Sequence, residues 1–286
     1  MNPEANLLTG QPREREFEFA REDFDALRTL VKGIAGISLA DSKQELVYGR
    51  VSRRLRALGI ASFREYRELL AGPNGEQEIV EFCNAITTNL TSFFREGHHF
   101  DYLRERLLEP RAASGGSRRL RIWSSACSTG EEPYSIAMTV LESIPDIGRW
   151  DIRILATDLD SDVLARAQAG VYKAERFSGM NAQRRERHFE AVGAGEFSAR
   201  AQLRELVTFR QLNLMHALPM KGPLDAIFCR NVIIYFDKET QRALFRKFTP
   251  LQREGDLLFL GHSESLFKVS ESWQLIGKTV YRRVGA

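Results

Sequence analysis

From residue 117 to the end of the chain, short apolar runs alternate with segments of helical period: RLRIWSS, a helix through 132 to 144, DIRILATDLD, SDVLARAQAG, LVTFRQLNL, LDAIFCRNVIIYF, KETQRALFRKFTPLQ, GDLLFLGHSES and TVYRRV. Strands separated by helices pair in parallel through right-handed crossovers, and the helices then cover both faces of the sheet. The alternation therefore predicts an α/β fold with a doubly wound, mostly parallel sheet. The last two strands have no long helix between them, which predicts an antiparallel pair at that end. Between Gly170 and Arg204 the pattern lapses into polar and charged residues around AVGAGEF. An inserted β-subdomain at about 171–206 is expected there, a helix and a small hairpin standing off the sheet.

The preceding part of the chain has a different texture. FEFAREDFDALRTLVKGIAG, SKQELVYGRVSRRLRALG, SFREYRELLAG and EQEIVEFCNAI read as helices, stopped by Gly33, Gly36, Gly59 and the run Gly72-Pro73-Asn74-Gly75. They predict an N-terminal all-helical domain over 17–86, behind a flexible polar tail, 1–16. Residues 87–100 are read as a linker contributing to the active-site cleft, and 101–286 as the catalytic domain. No apolar run approaches the roughly 20 residues of a membrane span, and MNPEANLLTGQPRERE lacks the apolar segment of a secretory signal. A soluble cytoplasmic protein is expected. Cys83, Cys127 and Cys229 lie far apart with no CxxC spacing, which supports neither a disulfide framework nor a zinc site. A net charge of +3 from 41 basic and 38 acidic side chains makes no global demand for nucleic acid. The chain stops at VGA, so no tandem-repeat extension is expected after the catalytic domain.

RIWSSACSTGEEPYSIA, residues 121–137, is a buried strand, a loop of small residues and a helix that opens on Glu131 and Glu132. In a doubly wound sheet a ligand sits where the first strand hands over to its helix. A dinucleotide site needs GxGxxG and a P-loop needs GxxxxGK[ST]; this loop has one glycine, no lysine and two acids. S-adenosylmethionine, which brings an adenosine, a sulfonium and an amino group but no phosphate, fits better. Acids in a first helical turn also stabilise the helix dipole by about 0.3–1 kcal/mol, so each glutamate taken alone leaves capping and ligand binding equally open. ILATDLD adds Asp158 at a strand tip, where a carboxylate accepts hydrogen bonds from ribose hydroxyls. Asp160 is read as a cap for the next helix. In LDAIFCRNVIIYF the strand ends at Arg230-Asn231 and resumes as VIIYF. An asparagine there is ordinarily a turn residue, but its place on the same sheet edge allows adenine or methionine contacts from the 231–232 backbone. Tyr235 is the aromatic nearest the presumed methyl-transfer point. TTNLTSFFRE, residues 87–96, sets Asn89, Thr91 and Arg95 among Phe93 and Phe94, spaced as at one end of a helix facing a cleft.

WSSACSTGEEPYSIA, TTNLTSFFRE and FCRNVIIYFD, with ATDLD, GHSES and the helical domain, resemble the bacterial chemotaxis receptor glutamate methyltransferases, the CheR family. The likeness runs from about residue 17 to the end, with the motifs in the family's order. It implies a Rossmann-like S-adenosylmethionine-dependent methyltransferase sheet, an N-terminal all-helical domain and a small inserted β-subdomain. The family's cofactor contacts map onto Asn89, Thr91, Arg95, Glu132, Asp158, Asn213, Leu214, Asn231 and Val232. Arg95 and Tyr235 are similar to residues near the methyl-transfer site. The implied reaction methylates the γ-carboxylate of glutamates on the cytoplasmic helical domain of methyl-accepting receptors and leaves S-adenosylhomocysteine. A glutamate carboxylate is already ionised at neutral pH, so no general base is needed and none of the five histidines has to be catalytic.

In KQELVYGRVSRRLRALG, Val47, Val51, Leu55 and Leu58 share one helical face, and Lys43, Arg50, Arg53 and Arg56 lie largely on the other with Arg54 at the border. A charged outer face is ordinarily only solvated. Its single sign resembles the family's docking helix for acidic receptor segments. GAGEFSARAQLREL is short for a hairpin that pairs with a receptor C-terminal tether peptide, so a tether-independent monomer is expected. Two other readings stay open: a non-catalytic S-adenosylmethionine-binding regulatory module, and a methyltransferase of this fold acting on another protein carboxylate or on nucleic acid. Which receptor, which glutamates and which cellular output are not written in the sequence.

Overall fold

The computed structural model describes residues 15–285. Most of the expected tail lies outside the described residues. Its last two members do not hang loose: Arg15 donates to the Phe19 carbonyl (3.2 Å) and Glu16 pairs with Arg56 (3.0 Å).

The chain divides into two compact units, one of residues up to Leu30 together with Ala40–Ile86, the other of Val31–Leu39 together with Thr87 onward. The first carries most of α1 (Arg21–Ala35) and all of α2 (Gln44–Leu58), α3 (Phe63–Ala71) and α4 (Gly75–Ile86). Phe24, Leu27, Val47, Val51, Leu55, Phe63, Tyr66 and Phe82 form its buried interior. Ser62 caps α3 by accepting from the Glu65 amide (3.2 Å), the S-x-x-E signature of a helix start. Glu78 is buried in this unit, where its carboxylate accepts from Arg54 (2.6 and 3.0 Å) and from the Tyr66 hydroxyl (2.7 Å). Val31–Leu39, expected in the helical domain, groups with the sheet because Ser38 N donates to the Tyr235 carbonyl (2.8 Å) and Ile37 bridges Phe236.

The second unit is built on β1 (Arg119–Ser124), β2 (Asp151–Asp158), β3 (Val171–Lys173), β4 (Phe189–Gly193), β5 (Glu196–Ala199), β6 (Val207–Gln211), β7 (Ala226–Cys229), β8 (Leu257–Leu260), β9 (Trp273–Leu275) and β10 (Val280–Arg283). Its main sheet has the order β6-β2-β1-β7-β8-β10-β9. The first five pair in parallel, and β10 runs antiparallel to both β8 and β9. The central strands are buried along almost their whole length, as expected of a sheet covered on both faces. The helices of this unit are α5 (His98–Leu103), α6 (Glu109–Ala113), α7 (Glu131–Ser143), α8 (Ser161–Ala169), α9 (Ala182–His188), α10 (Ala201–Leu206) and α11 (Lys238–Phe248), of which α7, α8, α10 and α11 lie between parallel strands of the main sheet.

Three expectations need correction. VIIYF does not resume as a strand: Ile233–Tyr235 is a 3-10 turn whose amides bond within the site described below. A short strand, β9, lies between GHSES and TVYRRV. The insertion is a three-stranded antiparallel sheet, β3-β5-β4, and it does not stand off the core. Its Tyr172, Phe177 and Phe189 surround the Phe93 ring at 5.0, 5.0 and 5.4 Å between centroids. No helix among the described residues is long and apolar enough to cross a membrane.

Glu142 on α7 joins the insertion to the core, accepting from Arg184 (2.7 and 2.9 Å) and lying 3.1 Å from His188, both on α9. Burial pushes the Glu142 carboxyl up, but the bonds from His188 and Arg184 outweigh it and hold the group at about 2 instead of 4.5. Because the folded value lies below the unfolded one, this contribution to stability is full above about 4.5 and is lost as pH falls toward 2. Glu142→Gln should therefore cost about 2 kcal/mol at neutral pH, less than the full shift implies because the side chain is partly solvated. Urea titrations should show the deficit closing as pH is lowered through that window.

Candidate active site

β2 and β6 lie on one side of β1 and β7 and β8 on the other, so the winding reverses between β1 and β7. The crevice beyond the carboxyl ends of those strands is where open α/β sheets hold ligands. The loop Ser125–Gly130 spans it: Ser125 N donates to the Phe228 carbonyl and Cys127 N to the Thr157 carbonyl, both at 2.9 Å. Gly130 has φ +95°, and a Cβ there would lie 2.7 Å from the Tyr172 hydroxyl and 2.9 Å from Ala167, so the turn into α7 admits only glycine. Asp158, at the tip of β2, accepts from Ser128 N (2.8 Å) and Asp160 N (3.0 Å). Burial pushes its carboxyl up to about 6 despite those bonds. Asp160 caps α8 through the amides of Asp162 and Val163, and its other oxygen accepts from Asn89 (2.7 Å) and Thr87 (2.8 Å).

The two acids that open α7 are buried and paired, which goes beyond a dipole cap. Glu131 is fully buried against Arg176 (2.9 Å from Nε) and accepts from the Thr129 hydroxyl (2.6 Å). Glu132 accepts from the Ser124 hydroxyl (2.7 Å) and from Arg230 (2.8 Å). Arg230, 5% exposed, also donates to the Arg95 carbonyl (2.5 Å) and lies 3.3 Å from Glu96. Burial alone would raise the Glu96 carboxyl; the Arg230 charge, with the His262 amide, brings it below its usual value. The neighbouring His99 is buried, and desolvation with the Arg230 charge lowers it to about 3, so the imidazole is neutral.

Residues 87–96 are not the end of a helix, as their polar spacing suggested. They form an irregular segment with Phe94 and Glu96 at positive φ, and it is held from several elements. Asn89 reaches Asp160, its carbonyl accepts from the Ser128 hydroxyl (3.0 Å), and the Thr91 carbonyl accepts from Arg176 (3.1 Å). Phe94 N donates to the Ser135 hydroxyl (3.0 Å), and half-buried Arg95 donates to the Leu90 carbonyl (2.8 Å). On the far side of Asp158, Leu212 N donates to the Asp158 carbonyl (2.9 Å), which sets Asn213 and buried Leu214 beside it. The Asn213 amide bonds the Ile34 carbonyl (2.7 Å). Asn231 adopts φ +58°, the left-handed conformation that asparagine tolerates, and Val232 leads into the turn that carries Tyr235.

The chain matches the family model described as "CheR methyltransferase, SAM binding domain" over residues 89–282 and the one described as "CheR methyltransferase, all-alpha domain" over 22–87. It belongs to the CheR methyltransferase family. The Chemotaxis protein methyltransferase 2 of Pseudomonas aeruginosa is 47% identical over 93% of this chain and 95% of that protein. The Probable chemotaxis protein methyltransferase of Rhizobium etli is 45% identical over 87% and 94%, and the Chemotaxis protein methyltransferase of Escherichia coli 43% over 90% and 89%.

The crevice fits S-adenosylmethionine. Asp158 is a buried carboxylate with no cation against it among the described residues, and its remaining lone pairs suit hydroxyl donors. Around it hydrogen bonds tie Asn89 to Asp158 through Ser128 and Asp160, Thr91 to Glu131 through Arg176, and Arg95 to Glu132 through Arg230, while Asn213 bonds the Ile34 carbonyl and the Met215 amide. Among the described residues, no group of three or more His, Cys, Asp and Glu side chains is placed to hold a metal ion. The sequence assigns no role to Arg176, Glu96, Arg230 or Glu264; Arg230 and Glu264 follow the apolar strands β7 and β8, a charge at a strand tip that could have marked them, whereas Glu96 lies in an irregular segment and Arg176 in a short 3-10 turn, with no such signal. In the helical unit, three of the five basic residues proposed for docking have partners within the unit: Arg50 donates to the carbonyls of Ala85 and Ile86, Arg54 holds Glu78, and exposed Arg56 pairs with Glu16, whereas Lys43 and Arg53 are exposed.

Arg230→Met would leave buried Glu132 and half-buried Glu96 without their cation. The unfolding free energy should fall by about 3–5 kcal/mol, measured by urea denaturation.

Proposed function

We propose that this protein transfers a methyl group from S-adenosylmethionine to the γ-carboxylate of glutamates on chemotaxis receptors. The observation that carries the reading is the match to the S-adenosylmethionine-binding domain across 89–282, the residues that build the crevice. The cofactor, when bound, supplies an electrophilic methyl carbon on a positively charged sulfur. A carboxylate oxygen of the substrate forms a bond to that carbon as the carbon–sulfur bond breaks, and its electron pair stays on sulfur as S-adenosylhomocysteine. No proton moves, so the chain needs no base. Its task is to hold the two reactants in line and keep water out.

In this reading Asn89, Thr91, Arg95, Glu132, Asp158, Asn213, Leu214, Asn231 and Val232 bind the cofactor, with Asp158 accepting from its ribose hydroxyls. Arg95 orients the substrate carboxylate and Tyr235 lines the same pocket. Receptor docking falls to the exposed part of the basic face, Lys43, Arg53 and Arg56, and should weaken as salt is raised. The enzyme acts as a cytoplasmic monomer and does not depend on a receptor C-terminal peptide; micromolar binding of such a peptide in calorimetry would overturn that point.

The test is base-labile transfer of labelled methyl from S-adenosylmethionine to the purified cytoplasmic domain of a receptor from the same cell. Transfer should disappear when the acceptor glutamates are changed to alanine. Cofactor binding with no transfer to any such receptor would favour the binding-only module. Asp158→Ala should abolish cofactor binding, while Arg95→Ala should bind the cofactor yet lose turnover; normal turnover in the latter would remove Arg95 from its role. Because the free Asp158 carboxyl takes up a proton near 6, cofactor affinity should weaken about tenfold per pH unit below that value in calorimetry.

A further inference from the structure

We propose that Glu264 is a positioning residue for the reaction: it holds the Asn231–Ile234 turn in the shape against which the cofactor binds. This inference rests on reading the crevice as the S-adenosylmethionine site. Glu264 follows β8 and is 5% exposed. One of its oxygens accepts from Gly261 N (2.6 Å) and Asn231 N (2.8 Å), the other from Ile233 N (2.9 Å) and Ile234 N (3.3 Å). Amides from a turn with a left-handed residue converge as they do around bound anions, and here the chain supplies the anion itself. All four contacts go to backbone, so Glu264 acts on a ligand only through the turn.

Two neighbours complete the lock. Gly261 packs so closely that a Cβ there would lie 2.8 Å from both Asn231 N and the Glu264 carboxylate. Gln241 takes the turn's carbonyls, donating to those of Ile233 (2.8 Å) and Phe236 (3.0 Å). The turn lies directly beyond the carboxyl end of β7, on the side of the switch point opposite Asp158. Without the carboxylate, the amides of 231, 233 and 234 would lose their partners and the turn would relax at the crevice wall.

The test compares wild type, Glu264→Gln and Gly261→Ala by calorimetric S-adenosylmethionine binding, steady-state kinetics and amide exchange. Gln has one acceptor oxygen in place of two, so half the clamp is lost. We expect Kd and KM for S-adenosylmethionine to rise about tenfold in both variants, with kcat within about threefold of wild type and faster exchange at Asn231, Ile233 and Ile234. Wild-type Kd and KM in Glu264→Gln, even with a lowered unfolding midpoint, would overturn the proposal and leave Glu264 a purely structural group. If Glu264→Gln does not fold, Gly261→Ala decides the question by the same criterion. Failure of the wild type itself to bind the cofactor would overturn the cofactor reading and this inference together, and only that result would.

Discussion

The buried Arg230 guanidinium is the joint on which the site depends. It leaves the end of β7 and meets Glu132 at the start of α7, Glu96 in the segment before α5, and the Arg95 carbonyl. Burying a single charge costs several kcal/mol, and the surrounding carboxylates offset that cost only in this arrangement. Any movement of α7, of β7 or of residues 95–96 would therefore leave a charge unpaired in the interior. Glu132 carries the constraint on to β1 through the Ser124 hydroxyl. Three segments distant in sequence are thus fixed by one side chain, and both strands of the switch point are among the parts they hold.

Glutamates at a helix start therefore have a different meaning here from the one a sequence suggests first. A solvated acid in a first turn contributes about 0.3–1 kcal/mol through the helix dipole. Glu131 and Glu132 are withdrawn from solvent and each takes an arginine, Arg176 and Arg230. What they stabilise is the placement of other segments, Thr91 through Arg176 and Arg95 through Arg230.

The sheet was legible because its signal is local: apolar runs of strand length, interrupted by amphipathic helices, leave few ways to close a core. The crevice was legible for the same reason, since strand, small-residue loop and helix follow one another within residues 121–137. Misreadings arose where long-range polar contacts decide the local shape. VIIYF has the composition of a strand, but its amides bond Glu264, about 30 residues on, and it becomes a turn. Residues 87–96 have polar spacing suited to a helix end, but partners on α7 and at Asp160 hold them irregular. A helical wheel places Arg50 on the outer face of α2 and Arg54 at its border, and cannot show that α4 brings two carbonyls and Glu78 to meet them.

Backbone strain is distributed in the same way. Among the described residues eight non-glycine positions have positive φ, and four of them, Phe94, Glu96, Ser128 and Asn231, lie in the segments that wall the crevice. Such conformations cost on the order of 1–3 kcal/mol each and survive only where the surroundings over-determine them. The polar groups supply that over-determination: Phe94 N is held by Ser135, Ser128 N by Asp158, Asn231 N by Glu264, and the Glu96 carboxylate by Arg230 and the His262 amide. Replacing Glu96 by glycine would relieve strain but also remove the carboxylate that meets Arg230, and replacing Phe94 would remove the ring packed on Phe100, leaving the local chain easier to bend. In this molecule the cost of strain and the cost of buried charge fall at the same sheet edge, where each group that offsets one also fixes the shape of the crevice.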